Sequence, residues 1–284
     1  MSTYAYRIVN VFTDSTSATA RLTGNPLCVF EDGRGLDSAT MQALALQLNL
    51  SETVFVLPSD KATARVRIFT LAFEMPFAGH PTLGSAHVVR ALTKGGDTLT
   101  LEMAAGVIPV RARGDEWTLK ANAPVTCAPD ASVGDIAATL GLSAADITGP
   151  PLWVNTGNEQ MVVPVANADV VRRCHPDPAR MATHQKSDNV PKFFVWAELG
   201  NGEIVARFFL LKHGALMEDH GTGSAAANLG GWFVTQRVAL PLQRVIWQGE
   251  AIGRPARLML NVDTGGGIFV GGQVVELGSG VTVL

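Results

Sequence analysis

A short pattern of small residues occurs twice in the chain and constrains its fold more than any other feature. Residues 80–86 read HPTLGSA and residues 219–225 read DHGTGSA, so the last three letters are identical without a gap. Each copy leads into a small, apolar run with helical spacing, at residues 81–96 and 224–237. Three matches between such common residues also arise by chance, so the pattern leaves duplication and coincidence equally open.

Strand-like runs surround both of these helices. Runs rich in β-branched and aromatic residues, bounded by turn residues, predict strands. In the first half they cover residues 6–12, 27–30, 53–57, 64–70, 99–103, 107–112 and 117–121, with a further helix at residues 37–49. In the second half they cover residues 151–157, 159–165, 192–199, 203–211, 244–249, 256–262, 267–272 and 273–277. Each half is therefore predicted to place several strands around one small-residue helix.

The composition fits a protein with two domains. The chain has 284 residues, 47% of them hydrophobic and 17% charged, which is enough to bury two medium cores. The pattern predicts a first domain over residues 1–120 and a second over residues 121–278. The formal net charge of −3 and the lack of a long basic run argue against nucleic acid as a partner.

Neither a targeting segment nor a membrane span is predicted. The N-terminus lacks a cationic segment followed by a long apolar one, and no apolar stretch approaches the roughly 20 residues of a membrane-spanning helix. We therefore expect a cytoplasmic protein without a membrane partner. Cys28, Cys127 and Cys174 are odd in number, far apart and outside any CxxC pair, so neither a disulfide framework nor a zinc site is indicated.

The two helix starts are candidate anion sites. A helix that begins with glycine, small hydroxyl residues or proline leaves backbone N–H groups uncovered, and the helix dipole adds partial positive charge there. If the two halves are related by a pseudo-twofold axis, the starts after His80 and Asp219 would converge on a cleft between domains, a usual place for a small-molecule pocket. The alternative is that the glycines serve only close packing and that Asp219 caps its helix.

Four blocks carry a resemblance to a known family. They are GNPLCVF at residues 24–30, NLSETVFV at 49–56, EMPFAGHPTLGSAHV at 74–88 and EDHGTGSAAANL at 218–229. In this order and spacing they resemble the signature blocks of the phenazine-biosynthesis-like, or PhzF-like, family, over essentially the whole chain.

The resemblance implies an α+β protein with the diaminopimelate-epimerase-like fold. This fold has two pseudo-symmetric domains, each with strands wrapped in a barrel-like way around a central helix, and the active site lies in the cleft between them. Residues 279–284 would return to complete the first domain. The family's characterised member isomerises trans-2,3-dihydro-3-hydroxyanthranilate without metal or organic cofactor, generally as a homodimer. A small-molecule carboxylate substrate, no cofactor, no metal and a homodimer are therefore expected.

The resemblance assigns the catalytic residues one by one. Glu52, in the SET block, matches the family's proton-shuttling glutamate, which takes a proton from one ring carbon and returns it to another. His80 matches the histidine of GHPT, which would hydrogen-bond the substrate and help to carry the proton. Asp219 matches the aspartate of the second helix start, a candidate acid/base for the tautomerisation of the enol to a ketone.

The same matching assigns residues that would bind substrate. Ser224 matches a serine that holds it, and the backbone amides of Gly79 and Gly223 would be presented to its carboxylate. Thr222 and Asn25, in the same blocks, are further candidates. One departure is clear: where the family usually has a proline after the aspartate, this chain has His220 and Gly221. His220 would either add a proton carrier or cap the turn.

Two other classes of function remain open at this point. An amino-acid racemase or epimerase of the same fold would use two opposed cysteines, but the positions for those thiols carry His80 and Asp219, so this mechanism lacks its residues. A non-catalytic member would bind a metabolite or a protein through the same cleft. The intact set of Glu52, His80, Asp219 and Ser224 argues against it.

Overall fold

The computed structural model describes residues 1–184, 190–212 and 214–284. They form two compact units. Unit 1 contains Met1–Lys120 together with Gly271–Leu284, and unit 2 contains Ala121–Val270. The chain thus returns to unit 1 from Gly271 onward, earlier than the segment 279–284 that the family pattern suggested.

Unit 1 consists of strands, two α-helices and one short 3-10 helix at Ala20–Leu22. The strands are β1 (Thr3–Thr13), β2 (Asn25–Phe30), β3 (Glu52–Leu57), β4 (Ala64–Thr70), β5 (Glu74–Met75), β6 (Thr98–Met103), β7 (Gly106–Arg113) and β8 (Glu116–Lys120). The helices are α1 (Ser38–Leu48), which is capped by the Asp37 side chain, and α2 (Gly79–Thr93). A last strand, β17 (Ile268–Val283), enters unit 1 from unit 2.

Eight of these strands close into a barrel. The pairing runs β1–β2–β3–β4–β6–β7–β8–β17 and returns to β1. Helix α2 contacts seven of the eight strands, β1 to β4 and β6 to β8, so it lies inside the barrel. Helix α1 packs on the other face of β3 and β4, where Phe30, Phe55 and Phe69 join its core cluster.

Unit 2 has the same ingredients and additional helices. Its strands are β9 (Val125–Cys127), β10 (Leu152–Asn155), β11 (Glu159–Pro164), β12 (Lys192–Gly200), β13 (Glu203–Lys212), β14 (Ala215–Asp219), β15 (Leu242–Gln248) and β16 (Ala256–Val262). Its helices are α3 (Val133–Thr139), α4 (Ala168–Arg173), α5 (Pro178–Met181) and α6 (Gly223–Thr235). Helix α6 packs on β9, β10, β11 and β16. On the other face, Val170 of α4 and Met181 of α5 join a core with Phe193 and Phe209.

The two units connect their strands in the same order. In unit 1, β2 and β3 are parallel with α1 between them, and β4 and β6 are parallel with β5 and α2 between them. In unit 2, β11 and β12 are parallel with α4 and α5 between them, and β13 and β15 are parallel with β14 and α6 between them. This shared topology supports a duplication.

The register corrects the way in which the two halves are aligned. Ile68 of β4 pairs with Met75, and Phe208 of β13 pairs with Asp219. Met75 and Asp219 each lie four residues before the glycine that begins a central helix, Gly79 or Gly223. The structural counterpart of His80 is therefore Ser224 and not Asp219. The gapless match of HPTLGSA to DHGTGSA is wrong because it overlays a helical turn on a loop.

Most predicted elements are present, and the differences are specific. The predicted strands at 267–272 and 273–277, together with most of the returning segment 279–284, form the single strand β17, because the glycines between them adopt extended backbone. Helices α3, α4 and α5 and the short strands β5, β9 and β14 were not predicted. Helix α2 begins at Gly79 and ends at Thr93, whereas the predicted helix ran from residue 81 to residue 96. Among the described residues, no helix combines the length and hydropathy needed to cross a membrane.

The close approach of α6 to its strands gives a stability prediction. A Cβ atom at Gly231 would lie 2.7 Å from Cβ of Pro124 and 2.9 Å from Cγ1 of Val154, both on stiff side chains. We expect Gly231→Ala to lower the free energy of unfolding by about 1–3 kcal/mol, since overpacking displaces neighbours. Denaturant titration monitored by circular dichroism measures this.

Gly134→Ala is the matched control, because Gly134 is also a helical glycine of unit 2 and is exposed. A Cβ atom there would meet Ser132 Oγ at an ordinary 3.6 Å. Alanine should leave stability unchanged or raise it by up to about 1 kcal/mol. Equal effects of the two substitutions would contradict the packing argument.

Candidate active site

Glu52 and His80 form a largely buried pair in unit 1. Glu52 Oε2 lies 3.5 Å from His80 Nε2, and the two side chains are 17% and 8% exposed. Neither of these two atoms has a hydrogen-bond partner within the part of the chain that the structure describes. Because burial of polar atoms without partners costs free energy, such a pair is a candidate site for a ligand that supplies the missing partners.

The local fold explains why these side chains meet. Glu52 is the first residue of β3, and Phe55, which belongs to the core on the α1 face, lies three positions later. Side chains alternate between the faces of a strand, so Glu52 points to the opposite face, toward α2. His80 is the second residue of α2. The N-cap residue of this helix is Ala78, whose side chain cannot accept a hydrogen bond from the first amides.

Asn25 and Gly24 complete the unit 1 arrangement. Asn25, the first residue of β2, is 1% exposed, and its Oδ1 lies 3.5 Å from the hydroxyl of Ser51, the neighbour of Glu52. Gly24 has φ of +81°, and a Cβ atom there would lie 2.4 Å from the carbonyl oxygen of Val11. Only glycine fits this close turn, which brings Asn25 to the strand beside Ser51 and Glu52.

Asp219 is held by hydrogen bonds in unit 2. Its Oδ2 accepts a hydrogen bond of 2.5 Å from the Thr222 hydroxyl, and its Oδ1 accepts one of 2.9 Å from the backbone N–H of His220. Gln248, 1% exposed, donates from Nε2 to the Asp219 carbonyl and to Thr222 Oγ1, and its Oε1 accepts from the Thr222 N–H. These contacts fix the direction of the carboxylate.

The loop before α6 does not show the alternative in which the Asp219 side chain caps the helix. Thr222 is the N-cap residue, but its hydroxyl donates to Asp219 and accepts no amide hydrogen of α6. The His220 ring lies with Nδ1 3.8 Å from Asp219 Oδ1. The amides at the start of α6, at Gly223 and Ser224, thus begin a helix without a side-chain cap.

Ser224 is the end of a chain of buried amides. Gln160 Nε2 donates to Ser224 Oγ at 2.8 Å, and Gln160 Oε1 accepts from Asn228 Nδ2 at 2.9 Å. Asn228 Oδ1 accepts from both the N–H and the hydroxyl of Thr156, at 2.9 and 2.7 Å. Gln160 and Asn228 are fully buried.

Each unit thus brings four of the predicted site residues together. Asn25, Glu52, Gly79 and His80 lie around the start of α2, and Asp219, Thr222, Gly223 and Ser224 lie around the start of α6. Sequence reasoning missed Gln160, Asn228 and Gln248. One signal pointed to this region: Thr23-Gly24-Asn25, which ends at the first residue of β2, recurs as Thr156-Gly157-Asn158 directly before β11.

The cysteines lie apart from both helix starts. Burial raises the pKa of the Cys28 and Cys174 thiols to about 12, and Cys127 is exposed in β9. Within the described ranges, no group of three or more His, Cys, Asp or Glu residues is arranged to hold a metal ion. The side chains at the two helix starts are a carboxylate and an imidazole in unit 1 and a carboxylate and hydroxyls in unit 2.

Comparison with known proteins assigns the family. A model of the phenazine biosynthesis-like proteins matches residues 9–283. The chain belongs to this family. A relative from Pasteurella multocida, named as an uncharacterized isomerase, is 37% identical over 284 residues, covering 99% of this chain and 94% of the relative. The trans-2,3-dihydro-3-hydroxyanthranilate isomerase of Pseudomonas aeruginosa is 33% identical over 270 residues, covering 93% of this chain and 92% of that protein.

A solved structure of the family confirms the predicted fold class. The crystal structure of a phenazine biosynthesis protein of the PhzF family from Bacillus anthracis superposes with a TM-score of 0.86 and covers 100% of both chains. At 24% sequence identity this likeness concerns the fold alone. The predicted family and the α+β, diaminopimelate-epimerase-like architecture are both confirmed.

Thiol reactivity tests the assignment of the cysteines in this family member. At pH 8 the native protein should react rapidly with Ellman's reagent at one thiol, that of Cys127. Cys28 and Cys174 are buried, and their raised pKa values keep both thiols protonated at this pH. After unfolding in guanidinium chloride all three thiols should react. A second or third fast thiol in the native protein would contradict this and would reopen the paired-cysteine mechanism.

Proposed function

We propose that this phenazine biosynthesis-like isomerase catalyses a cofactor-independent isomerisation of a small cyclic carboxylate, with Glu52 as the proton carrier. The reaction is similar to that of trans-2,3-dihydro-3-hydroxyanthranilate isomerase, the name carried by several relatives. The chemistry consists of removing a proton from one ring carbon, returning it at another, and converting the resulting enol to a ketone.

The observation that carries the proposal is the Glu52–His80 pair. A carboxylate oxygen and an imidazole nitrogen 3.5 Å apart, both buried and both without a hydrogen-bond partner among the described residues, are available to a substrate. Glu52 would accept the proton from carbon and return it in the same turnover. His80, at the uncapped start of α2, would hydrogen-bond the substrate and help to carry the proton, while the amide of Gly79 would bind its carboxylate.

The unit 2 residues have complementary roles in the proposal. Asp219, whose carboxylate is held by Thr222 and the His220 N–H, would act as acid and base in the tautomerisation. Ser224 and the amide of Gly223 would hold the substrate, with Asn25 of unit 1 and Thr222 as further binding residues. The His220 ring, 3.8 Å from Asp219, would be a second proton carrier only if it exchanges protons with that carboxylate.

Two readings compete with this one. An epimerase that uses paired cysteines is disfavoured because Cys28 and Cys174 are buried with raised pKa values and the helix starts carry His80 and Ser224 instead. A binding protein without catalysis could supply the same hydrogen bonds from neutral side chains, so a carboxylate placed 3.5 Å from an imidazole favours catalysis.

The proposal predicts that Glu52→Gln strongly slows proton transfer while leaving the fold intact. We expect a loss of about 10²- to 10⁴-fold in rate, the usual contribution of a general acid/base group. The assay incubates the protein in D₂O with trans-2,3-dihydro-3-hydroxyanthranilate and a panel of cyclic and amino carboxylates. NMR spectroscopy follows both isomerisation and the incorporation of deuterium at carbon.

Glu116→Gln is the matched control, because Glu116 is also the first residue of a strand of unit 1, β8. It should retain full activity, and both variants should keep the melting temperature of the parent. Unchanged exchange in Glu52→Gln would contradict the assigned proton carrier. Saturable binding that survives Glu52→Gln, with no turnover of any compound, would favour the binding-protein reading.

The family resemblance further leads us to expect a homodimer. Size-exclusion chromatography with multi-angle light scattering should give twice the mass of the chain at micromolar concentration. A mass that equals one chain across the accessible concentration range would contradict this part of the proposal, without bearing on the proton-transfer chemistry.

A further inference from the structure

The amide pair Gln160–Asn228 lies where the other unit is apolar. By strand register, Cys28 pairs with Thr53 and Met161 pairs with Phe193, so Leu27 and Gln160 take corresponding positions in β2 and β11. Counting from the helix starts, Gly84 of α2 corresponds to Asn228 of α6. Unit 1 thus packs leucine against glycine where unit 2 buries two hydrogen-bonded amides. Because burial of polar groups costs free energy, the replacement of an apolar pair by two amides points to a function for Gln160 and Asn228.

The orientation of the Asn228 amide is forced by the backbone around it. Its Oδ1 faces the N–H of Thr156, which can only donate, at 2.9 Å. Its Nδ2 faces the carbonyl oxygen of Asn158, which can only accept, at 2.8 Å. A flipped amide would oppose donor to donor and acceptor to acceptor, so only one orientation satisfies both contacts.

Asn228 in turn forces the orientation of Gln160. Since Asn228 Nδ2 donates toward Gln160, the atom of Gln160 that it meets is the acceptor Oε1, at 2.9 Å. The donor Nε2 therefore faces Ser224 Oγ, at 2.8 Å. Ser224 and Asn228 are one helical turn apart on α6, which allows one glutamine to bond both.

The consequence concerns the hydroxyl hydrogen of Ser224. Its oxygen accepts from Gln160, so the hydrogen points elsewhere, and no acceptor for it is found among the described residues. Ser224 is partly exposed at the second position of α6. The hydroxyl is thus left as a donor to whatever occupies the helix start.

We propose that Gln160 is a positioning residue: held by Asn228, it fixes Ser224 as a hydrogen-bond donor to an acceptor oxygen of the substrate, such as a carboxylate oxygen. This inference rests on the proposed function for the identity of the ligand. The polarity of Ser224, by which we mean that its oxygen accepts from Gln160 while its hydrogen is left to donate, follows from contacts of the protein without ligand. Gln160 does not touch the substrate and acts through Ser224.

A ligand-free measurement tests the polarity. The side-chain amide resonances of Gln160 are identified as those lost in Gln160→Glu. We expect Ser224→Ala to shift the Gln160 amide protons upfield, because they lose their acceptor. The amide protons of Gln42, which bond the carbonyl of Thr70 in unit 1, should not move. Gln160 amide protons that do not respond to Ser224→Ala would overturn the proposal.

A binding measurement tests the consequence. Calorimetric titration with trans-2,3-dihydro-3-hydroxyanthranilate is performed in the Glu52→Gln background, in which turnover does not interfere. Added Gln160→Glu should weaken binding by about 10- to 100-fold at pH 8, the range for losing a hydrogen bond to a charged group. The introduced carboxylate, ionised at this pH, would accept the Ser224 hydrogen and withdraw it from the ligand.

The pH dependence separates this role from a structural one. Below the pKa of the introduced carboxyl, its O–H can donate to Ser224 as the glutamine does, so affinity should recover as the pH is lowered and be lost again as it rises. A merely structural defect would weaken binding at every pH. Gln42→Glu, a matched change in unit 1, should leave affinity and its pH dependence unchanged. Affinity of Gln160→Glu equal to that of the parent from pH 5.5 to 8 would overturn the proposal.

A double-substitution cycle shows whether Gln160 acts through Ser224. In a Ser224→Ala background, Gln160→Glu should have almost no further effect on affinity; a full additional loss would overturn the proposal. A parent protein that binds no compound of the panel, while its Gln160 resonances respond to Ser224→Ala, would contradict the proposed function and would support the assigned polarity.

Discussion

The close packing of a small-residue helix against its own strands is the constraint on which each unit depends. In unit 1 a Cβ atom at Gly84 would lie 2.6 Å from Leu27 Cδ2, and in unit 2 one at Gly230 would lie 2.8 Å from Ile268 Cγ2. Only small residues let strands wrap so closely around a helix. A helix enclosed in this way begins among the strands, and its N-terminal amides face whatever the strand ends provide.

The first residue of a neighbouring strand determines which chemical groups lie near each helix start. In unit 1, alternation along β3 directs Glu52 toward the first turn of α2, where His80 is the second residue. In unit 2 the first residue of β12 is Lys192, whose Nζ donates to Asn158 Oδ1 at 2.7 Å, and the second residue of α6 is Ser224. Corresponding positions thus carry an acid and an imidazole in one unit, and a cation and a hydroxyl in the other.

The sequence was sufficient for the parts of the fold that depend on local pattern. The SET and GHPT blocks predicted Glu52 and His80 as site residues, and the structure places the two side chains together. The internal alignment failed, because three matched small residues favoured a register in which His80 overlies Asp219, whereas its counterpart is Ser224. Helices α3, α4 and α5 have between four and seven residues each, too short for helical periodicity to emerge.

The buried amide side chains of unit 2, those of Gln160, Asn228 and Gln248, could not be found in this way, because a buried amide has no period and no fixed neighbour along the chain. The roles of Gln160 and Gln248 are visible only from their hydrogen-bond partners, Ser224 and Thr222, which lie 64 and 26 residues away along the chain.

The two helix starts differ in how their polar side chains are hydrogen-bonded. Unit 1 leaves one carboxylate oxygen of Glu52 and one ring nitrogen of His80 without partners among the described residues, which agrees with the proton transfer that we propose for them. In unit 2, Asp219 accepts hydrogen bonds from Thr222 and from the His220 N–H, and Ser224 accepts one from Gln160. These bonds fix the direction of each group and leave the hydroxyl hydrogen of Ser224 to be donated.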